Sequence, residues 1–514
     1  MMQPTRRFAY PYLLLFFILV KVVLQYVVIN PMYDLHRDEY LHLDMASHIS
    51  AGYLSVPPFT ALVSLLIKWL GNDVFWVKFF PVLFGVLTMV LIWRMVELLK
   101  GDWFAQVLAA CAFLCSAYTR LNMLYQPNSF DVLCWTLLFY CLLQYIRTMH
   151  YKWLLWLGVV LGVGFLNKYN ILFLAVGMLP AALLSPQKQL FVNKYLYWAG
   201  GIALLIALPN IIWQIRNGLP VIHHMKELAQ YQLVNVNRLD FLKSQLVFFL
   251  GGGFLIIAAL VGFIFHRPFR PYRIIGWTYL FVLLLFIYLQ AKDYYALGLY
   301  PVLLAFGSVY WERFFTQGWT RRLRVVWVLV IVLPFAFLLN VIFPILGPKA
   351  IAQKAEKFNS LGLLRWEDGK NHALPQDFAD MLGWRELAVL TLKAYEGVPE
   401  ADKNKTIVIC DNYGQAGALN YYNRGKMPAV VSFNADYVFW FPRLDTVRCI
   451  IIVGDPPDEI ARAYTTTSVT IGTVANPLAR EYGAGVYVLT GVSPEVPALL
   501  LKLGKEKEKE FRSW

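Results

Sequence analysis

Apolar runs of roughly 17 to 25 residues recur along the first two thirds of the chain, the length a helix needs to cross a hydrocarbon layer about 30 Å thick. The pattern predicts about eleven spans, at 8–30, 74–98, 103–119, 130–148, 152–167, 169–184, 195–213, 243–265, 273–290, 294–310 and 325–343. The first, FAYPYLLLFFILVKVVLQYVVIN, is too long for a signal-peptide core and lacks a small-residue cleavage site, so it reads as a retained anchor. Past residue 344 the long runs stop. This predicts a polytopic α-helical membrane domain over 1–344 and a separate soluble domain over 345–514.

The sharpest polar interruption is LHRDEYLHLDMASHISAGYLSVPPF, residues 35–59, within the connection 31–73. Gly52 and the Pro57-Pro58 pair divide it into two short helical stretches, since proline stops a helix at the residue before it. The second stretch, PPFTALVSLLIKWLG, is apolar yet too short to span, and is predicted to lie along the membrane surface. The first carries Asp38, Glu39 and Asp44, the histidines His36, His42 and His48, and Arg37. Asp38 and Glu39 are adjacent and so point about 100° apart on a helix, which prevents them from facing each other as a matched pair. One can act as a base while the other holds substrate or structure; the plain alternative is a solvated helix start whose acids complement the dipole.

In the distal part, TIVICD, PAVVSF, RCIIIVGD and GVYVLTG read as strands, and DFADMLGWRELAVLTLKAYEGV and YGQAGALNYYNR as helices, which predicts a small α/β sandwich. The charged tail KLGKEKEKEFRSW is predicted to be solvated and frayed.

Composition agrees with a membrane chain: 59% of the residues are hydrophobic and 15% charged, against about 25% charged in soluble domains. A net charge of +14 would suit a nucleic-acid binder, but the basic residues fall in short connections between spans, which is a topology signal. Arg6 and Arg7, Arg94 and Lys100, Arg147 and Lys152, Lys188 and Lys194, HRPFRPYR at 266–273 and RRLR at 321–324 occupy every second connection and mark the cytoplasmic side. An odd number of spans then carries both the 31–73 connection and the C-terminal domain to the other face. The six cysteines lack metal-ligand spacing and read as buried thiols, with a Cys410–Cys449 disulfide left open for an oxidising compartment.

Two lysines break the charge rule. Lys168 in GFLNKYNILF and Lys292 in LQAKDYYALGLYP sit at predicted external span ends, where snorkelling is the plain reading and an anionic headgroup the functional one. Asn128 and Asp131, in LYQPNSFDVLCW, lie at another external turn, where Ser129 or Asp131 would serve as a helix cap if not part of a site. Lys21 and Gln25 are expected to face the bundle rather than lipid. The cluster His36, His42, His48 and Asp44 lacks the spacing of a metal site, so a divalent metal has only weak support. His223 and His224 read as surface or substrate contacts.

Taken in order, the RDE loop, SAGYLSVPPFTAL, LYQPNSFDVLCWTL, GVGFLNKYNILFL and KDYYALGLYPVLLAFG resemble the bacterial branch of the dolichyl-phosphate-mannose protein mannosyltransferase superfamily, including glycosyltransferase family 39 and the lipid A aminoarabinose transferases. DNYGQAGALNYYNRGKMPAVVSFNADYVFWFP resembles the external domain of many bacterial members, so the likeness covers nearly the whole chain. It implies a GT-C fold in the bacterial plasma (inner) membrane, N-terminus cytoplasmic and α/β domain extracytoplasmic. It also implies an enzyme that moves a sugar from a polyprenyl-phosphate donor to a lipid, glycan or protein acceptor with inversion. By resemblance, Asp38 would be the general base. Lys168 and Lys292, with Tyr294 and Tyr295 alongside, would hold the carrier phosphate. Where the aminoarabinose transferases carry an Arg and a Tyr after the acidic pair, this chain has Leu41 and His42, which leaves the sugar open and makes Arg37 and His42 substrate-binding candidates beside Glu39, Asn128 and Asp131. Two other readings remain: a transporter or flippase of lipid-linked glycans, which would place its ionisable groups near the bilayer midplane, and a membrane-anchored binding protein.

Overall fold

The computed structural model describes residues 10–231, 233–442 and 445–512; Arg6, Arg7 and the start of the 8–30 run lie outside them. Among the described residues, five helices are long and apolar enough to cross a membrane: Val74–Leu98, Asn128–Thr148, Lys194–Arg216, Arg267–Tyr288 and Gly318–Ile342. A sixth exists if Ile171–Leu183 and Pro186–Val192 count together across their 110° bend, which falls at Ser185-Pro186. Shorter apolar helices, Pro11–Val27, Trp103–Leu114, Lys152–Asn167 and Gly253–Phe265, occupy four more of the predicted runs. The 243–265 run is not one helix: it holds the end of Arg238–Val247 and then Gly253–Phe265, with Gly251, Gly252 and Gly253 at the break. Three consecutive glycines carry too high an entropy cost to continue the turn.

The chain divides into two compact units. One comprises residues up to 29, 77–211 and 233–345. Its core is built on buried aromatics, among them Phe113, Tyr118, Trp135, Phe286 and Tyr300. Close helix approach there depends on small residues; a Cβ on Gly307 would run into the Leu255 carbonyl. Lys21 and Gln25 are buried as expected: Lys21 Nζ donates to Gln25 Oε1 at 2.9 Å and Asn122 Oδ1 at 2.8 Å, and Gln25 donates to the Thr119 carbonyl.

The other unit comprises 30–76, 212–232 and 346 onward, so the polar connection after the first run clusters with C-terminal residues. Its five-stranded sheet consists of β1 (Thr406–Cys410), β2 (Val431–Ser432), β3 (Cys449–Gly454), β4 (Thr467–Thr473) and β5 (Gly485–Thr490), in the order β2-β1-β3-β5-β4. The first three are parallel, and β5 and β4 run antiparallel. TIVIC and CIIIVG are near-continuous apolar runs because both faces are covered, whereas β4, TSVTIGT, is an exposed polar edge and was not anticipated from its sequence. Cys410 and Cys449 are free thiols. The register pairs Thr406 with Cys449 and Cys410 with Val453, which sets the two cysteines four residues apart along adjacent strands, about 13 Å, beyond disulfide reach.

Two helix expectations change. The DFADMLG…YEGV helix is broken: Gly383 adopts φ +87 and separates Gln376–Ala379 from Trp384–Glu396. The tail is not frayed as far as Arg512, the last described residue, since helix Val496–Arg512 buries Phe511, and Arg512 donates to Asn217 Oδ1 at 3.1 Å. The polar connection forms helices Arg37–Asp44 and Phe59–Trp69. The latter buries Ala61, Ser64 and Ile67 on one face and exposes Leu62, Leu66 and Trp69 on the other.

Helix Arg37–Asp44 packs on helix Tyr413–Tyr422 at Gly417, where an added Cβ would lie 2.9 Å from both the Tyr40 carbonyl carbon and Tyr40 Cβ. A helix-interior Gly→Ala change normally stabilises by up to ~1 kcal/mol. Here the collision with backbone reverses the sign: Gly417→Ala is expected to cost ~1–3 kcal/mol, read as a lower Tm.

Candidate functional site

Arg37, Asp38, Glu39 and His42 share helix Arg37–Asp44, which starts with a capping box. His36 Nδ1 accepts the Asp38 amide at 3.2 Å, and Glu39 Oε2 accepts the His36 amide at 2.8 Å. Glu39 is fully buried and its carboxylate serves this cap. Asp38 instead keeps a third of its side chain exposed. Its Oδ1 accepts the Tyr413 hydroxyl at 2.8 Å, and the Arg37 guanidinium lies over the Tyr413 ring at 4.4 Å. His36 Nε2 sits 3.6 Å from Asp380 Oδ2, and Arg480 donates to Asp380 Oδ1 at 3.1 Å.

Burial by itself would raise the Asp38 carboxyl, but His36, Arg37, His42 and the Tyr413 hydroxyl outweigh it and hold the acid at about 2. Burial pushes His42 down to about 4, so its imidazole is neutral near pH 7. Because the Asp38 value is depressed on folding, its stabilising contribution is present above the ordinary value of 3.8 and is lost as pH falls through about 2. Tyr413→Phe removes one of the groups that lowers it. Loss of a hydrogen bond to a charged group is expected to cost ~1.5–3 kcal/mol. The Asp38 titration should move up in pH, seen as Asp38-dependent acid destabilisation at a higher pH than in the wild type.

Asn128, Asp131, Lys168, Lys292, Tyr294 and Tyr295 all fall in the other unit. Lys168 closes helix Lys152–Asn167, and its Nζ donates to Asn128 Oδ1 at 2.7 Å while lying 4.3 Å from the Tyr295 ring and 5.0 Å from that of Tyr294. Lys292 is near enough to repel the Lys168 ammonium. Asp131 is not a helix cap: Asn128–Thr148 starts after Pro127 with no side-chain cap, and neither Ser129 nor Asp131 supplies one. Asp131 accepts from Trp135 Nε1 at 3.1 Å and Asn170 Nδ2 at 2.8 Å, and Asn170 also donates to the Tyr295 carbonyl. Lys168 thus has two ring faces, the Asn128 amide, the Asp131 carboxylate and a second ammonium around it.

His223 packs edge-on against Phe511, with Nε2 3.5 Å from Glu227. Sequence reasoning missed Tyr413, Asp380 and Arg480. The DNYGQAG motif contains Tyr413, but nothing local links it to Asp38, 375 residues earlier.

In fold, the chain resembles the GT-C class of polytopic helical membrane proteins. The crystal structure of ArnT from Cupriavidus metallidurans bound to undecaprenyl phosphate matches with a TM-score of 0.61 at 15% identity, over 93% of this chain and 98% of that one. The apo oligosaccharyltransferase of Archaeoglobus fulgidus matches with a TM-score of 0.50 at 11% identity, over 88% of this chain and 70% of that one. More particularly, the chain is similar to glycosyltransferase family 39: residues 55–213 match the family model described as dolichyl-phosphate-mannose-protein mannosyltransferase. The lipid A galacturonosyltransferase RgtD of Rhizobium johnstonii is 23% identical over 211 residues, covering 40% of this chain and 43% of that protein. The aligned segment thus spans less than half of this curated relative.

Proposed function

We propose that the protein is an inverting membrane glycosyltransferase that moves a sugar from a polyprenyl-phosphate donor to a lipid, glycan or protein acceptor at the extracytoplasmic face of the bacterial inner membrane. In this reading residues 1–344 form the membrane-spanning catalytic domain and 345–514 an extracytoplasmic domain. The acceptor hydroxyl gives its proton to Asp38 as its oxygen bonds to the anomeric carbon. The bond from that carbon to the carrier oxygen breaks, and the carrier phosphate leaves with the electron pair. Lys168 and Lys292 stabilise the charge that grows on it, with Tyr294 and Tyr295 beside Lys168 and Asn128 and Asp131 supporting its position. Arg37, Glu39 and His42 bind or frame the acceptor end.

The observation that carries this reading is Asp38 itself, an ionised and accessible carboxylate beside two buried neighbours, Glu39 and His42. A base of such low basicity accepts a proton late, as the phosphate departs, and its value comes from position more than from proton affinity. Envelope glycolipids and glycans compared by mass spectrometry in cells with and without the gene test the reading: one glycosylated species should be replaced by its sugar-free precursor. Identical profiles would reject it.

A further inference from the structure

Asp44, the third acid of the 35–59 stretch, takes no part in the reaction proposed above, yet it lines a separate cavity. That cavity, about 250 Å3, lies between the 40–48 and 68–72 segments and the end of helix Tyr413–Tyr422 with the loop that follows. Asp38 is not in its wall; six residues earlier on the helix, it lies about 9 Å away along the axis. Both hydrogen bonds to Asp44 end on Oδ2, from Asn420 at 2.6 Å and Tyr437 at 2.7 Å, and Oδ1 has none among the described residues. The carboxylate is thereby fixed with one oxygen available to a donor. Lys68 also lines the cavity, close enough for its charge to favour the Asp44 carboxylate, and donates to Ser47 Oγ at 3.1 Å. Arg424 is exposed, without an ion pair among the described residues. His48 is held flat against Trp440, ring centroids 4.3 Å apart, and the Tyr421 ring adds an apolar wall.

A fixed carboxylate acceptor, an aromatic wall and two cations together define a chemistry. An anion alone would be repelled by Asp44, and a neutral polyol would leave Lys68 and Arg424 unused. A ring hydroxyl can donate to Oδ1 while a phosphate or carboxylate on the same molecule meets the cations. We propose that this cavity binds a saccharide carrying an anionic group, its hydroxyls on Asp44 and its anion between Lys68 and Arg424. The volume, about eight waters' worth, admits one sugar ring and its substituent.

The full-length protein in detergent, probed with glucose 6-phosphate by saturation-transfer NMR, tests this independently of any transfer activity. Wild-type protein should show saturable transfer to the sugar ring protons, with glucose or inorganic phosphate alone binding at least tenfold more weakly. Arg424→Ala, at an exposed position that leaves the fold intact, should weaken binding at least tenfold, and Asp44→Asn should do the same; Asp38→Asn should leave it unchanged. Displacement of the probe by phosphatidylinositol vesicles would support a lipid-borne ligand, and its persistence a soluble one. The proposal is overturned if glucose 6-phosphate fails to bind, if Arg424→Ala binds it as the wild type does, if inorganic phosphate competes as well as the sugar phosphate, or if Asp38→Asn abolishes binding.

Discussion

Asp38→Asn is expected to lower sugar transfer by ~10²–10⁴-fold, the usual contribution of a positioned general base, while leaving the fold intact. The amide has the shape of the carboxylate and can still accept the Tyr413 hydroxyl now bound to Oδ1. The loss should therefore fall on kcat, with KM for the donor little changed, because in the proposed reaction Asp38 would act on the proton rather than on the carrier. Glu39→Gln makes the informative contrast. Glu39 is fully buried and caps the helix through Oε2, so its substitution should lower Tm more than Asp38→Asn does. Equal kcat losses at both positions with unchanged Tm would show that accessibility does not distinguish the two acids. Across pH 5 to 8 the Asp38 carboxylate stays ionised, so an acid limb of activity in that window must come from another group.

The second large effect concerns Lys168. Lys168→Ala leaves the Asn128 amide oxygen and two tyrosine faces without their cation, and removes the charge that the proposed reaction assigns to the leaving phosphate. A loss of ~10²–10³ in kcat/KM is expected, the scale seen when one preorganised stabilising group is deleted. Lys168→Arg keeps the charge but spreads it over a planar fork, so partial recovery is expected. Equilibrium binding of a polyprenyl phosphate to the purified protein provides the check. Unchanged affinity in Lys168→Ala would exclude the lysine from carrier binding.

The sequence made some of this legible and concealed the rest for identifiable reasons. Lys168 and Lys292 stood out because each departs from the charge rule on its own. Lys21 and Gln25 could be assigned to the interior because lipid offers them no partner. Asp38 needed a resemblance, since local pattern cannot rank it above Glu39; burial, which separates the two acids, is a property of the folded chain. Tyr413 and Asp380 reach the start of helix Arg37–Asp44 through contacts spanning more than 300 residues, and Arg480 joins them through Asp380, 100 residues before it, which no periodicity encodes. Strand β4 was missed because an exposed polar edge lacks the apolar signature of β1 and β3. The cap assigned to Ser129 or Asp131 failed because Asp131 is drawn inward by Trp135 and Asn170, partners that lie on later turns and another segment.

The central claim is group transfer from a lipid carrier, and one measurement addresses it directly. Purified protein is reconstituted in vesicles holding a polyprenyl-phosphate sugar labelled in both the sugar and the phosphate, together with an envelope lipid extract as acceptor, and the products are resolved by mass spectrometry and NMR. The account predicts a new glycosidic product of inverted anomeric configuration and one equivalent of free polyprenyl phosphate per bond formed, both absent with Asp38→Asn. Movement of the intact, doubly labelled carrier across the bilayer with no glycosidic product would contradict it.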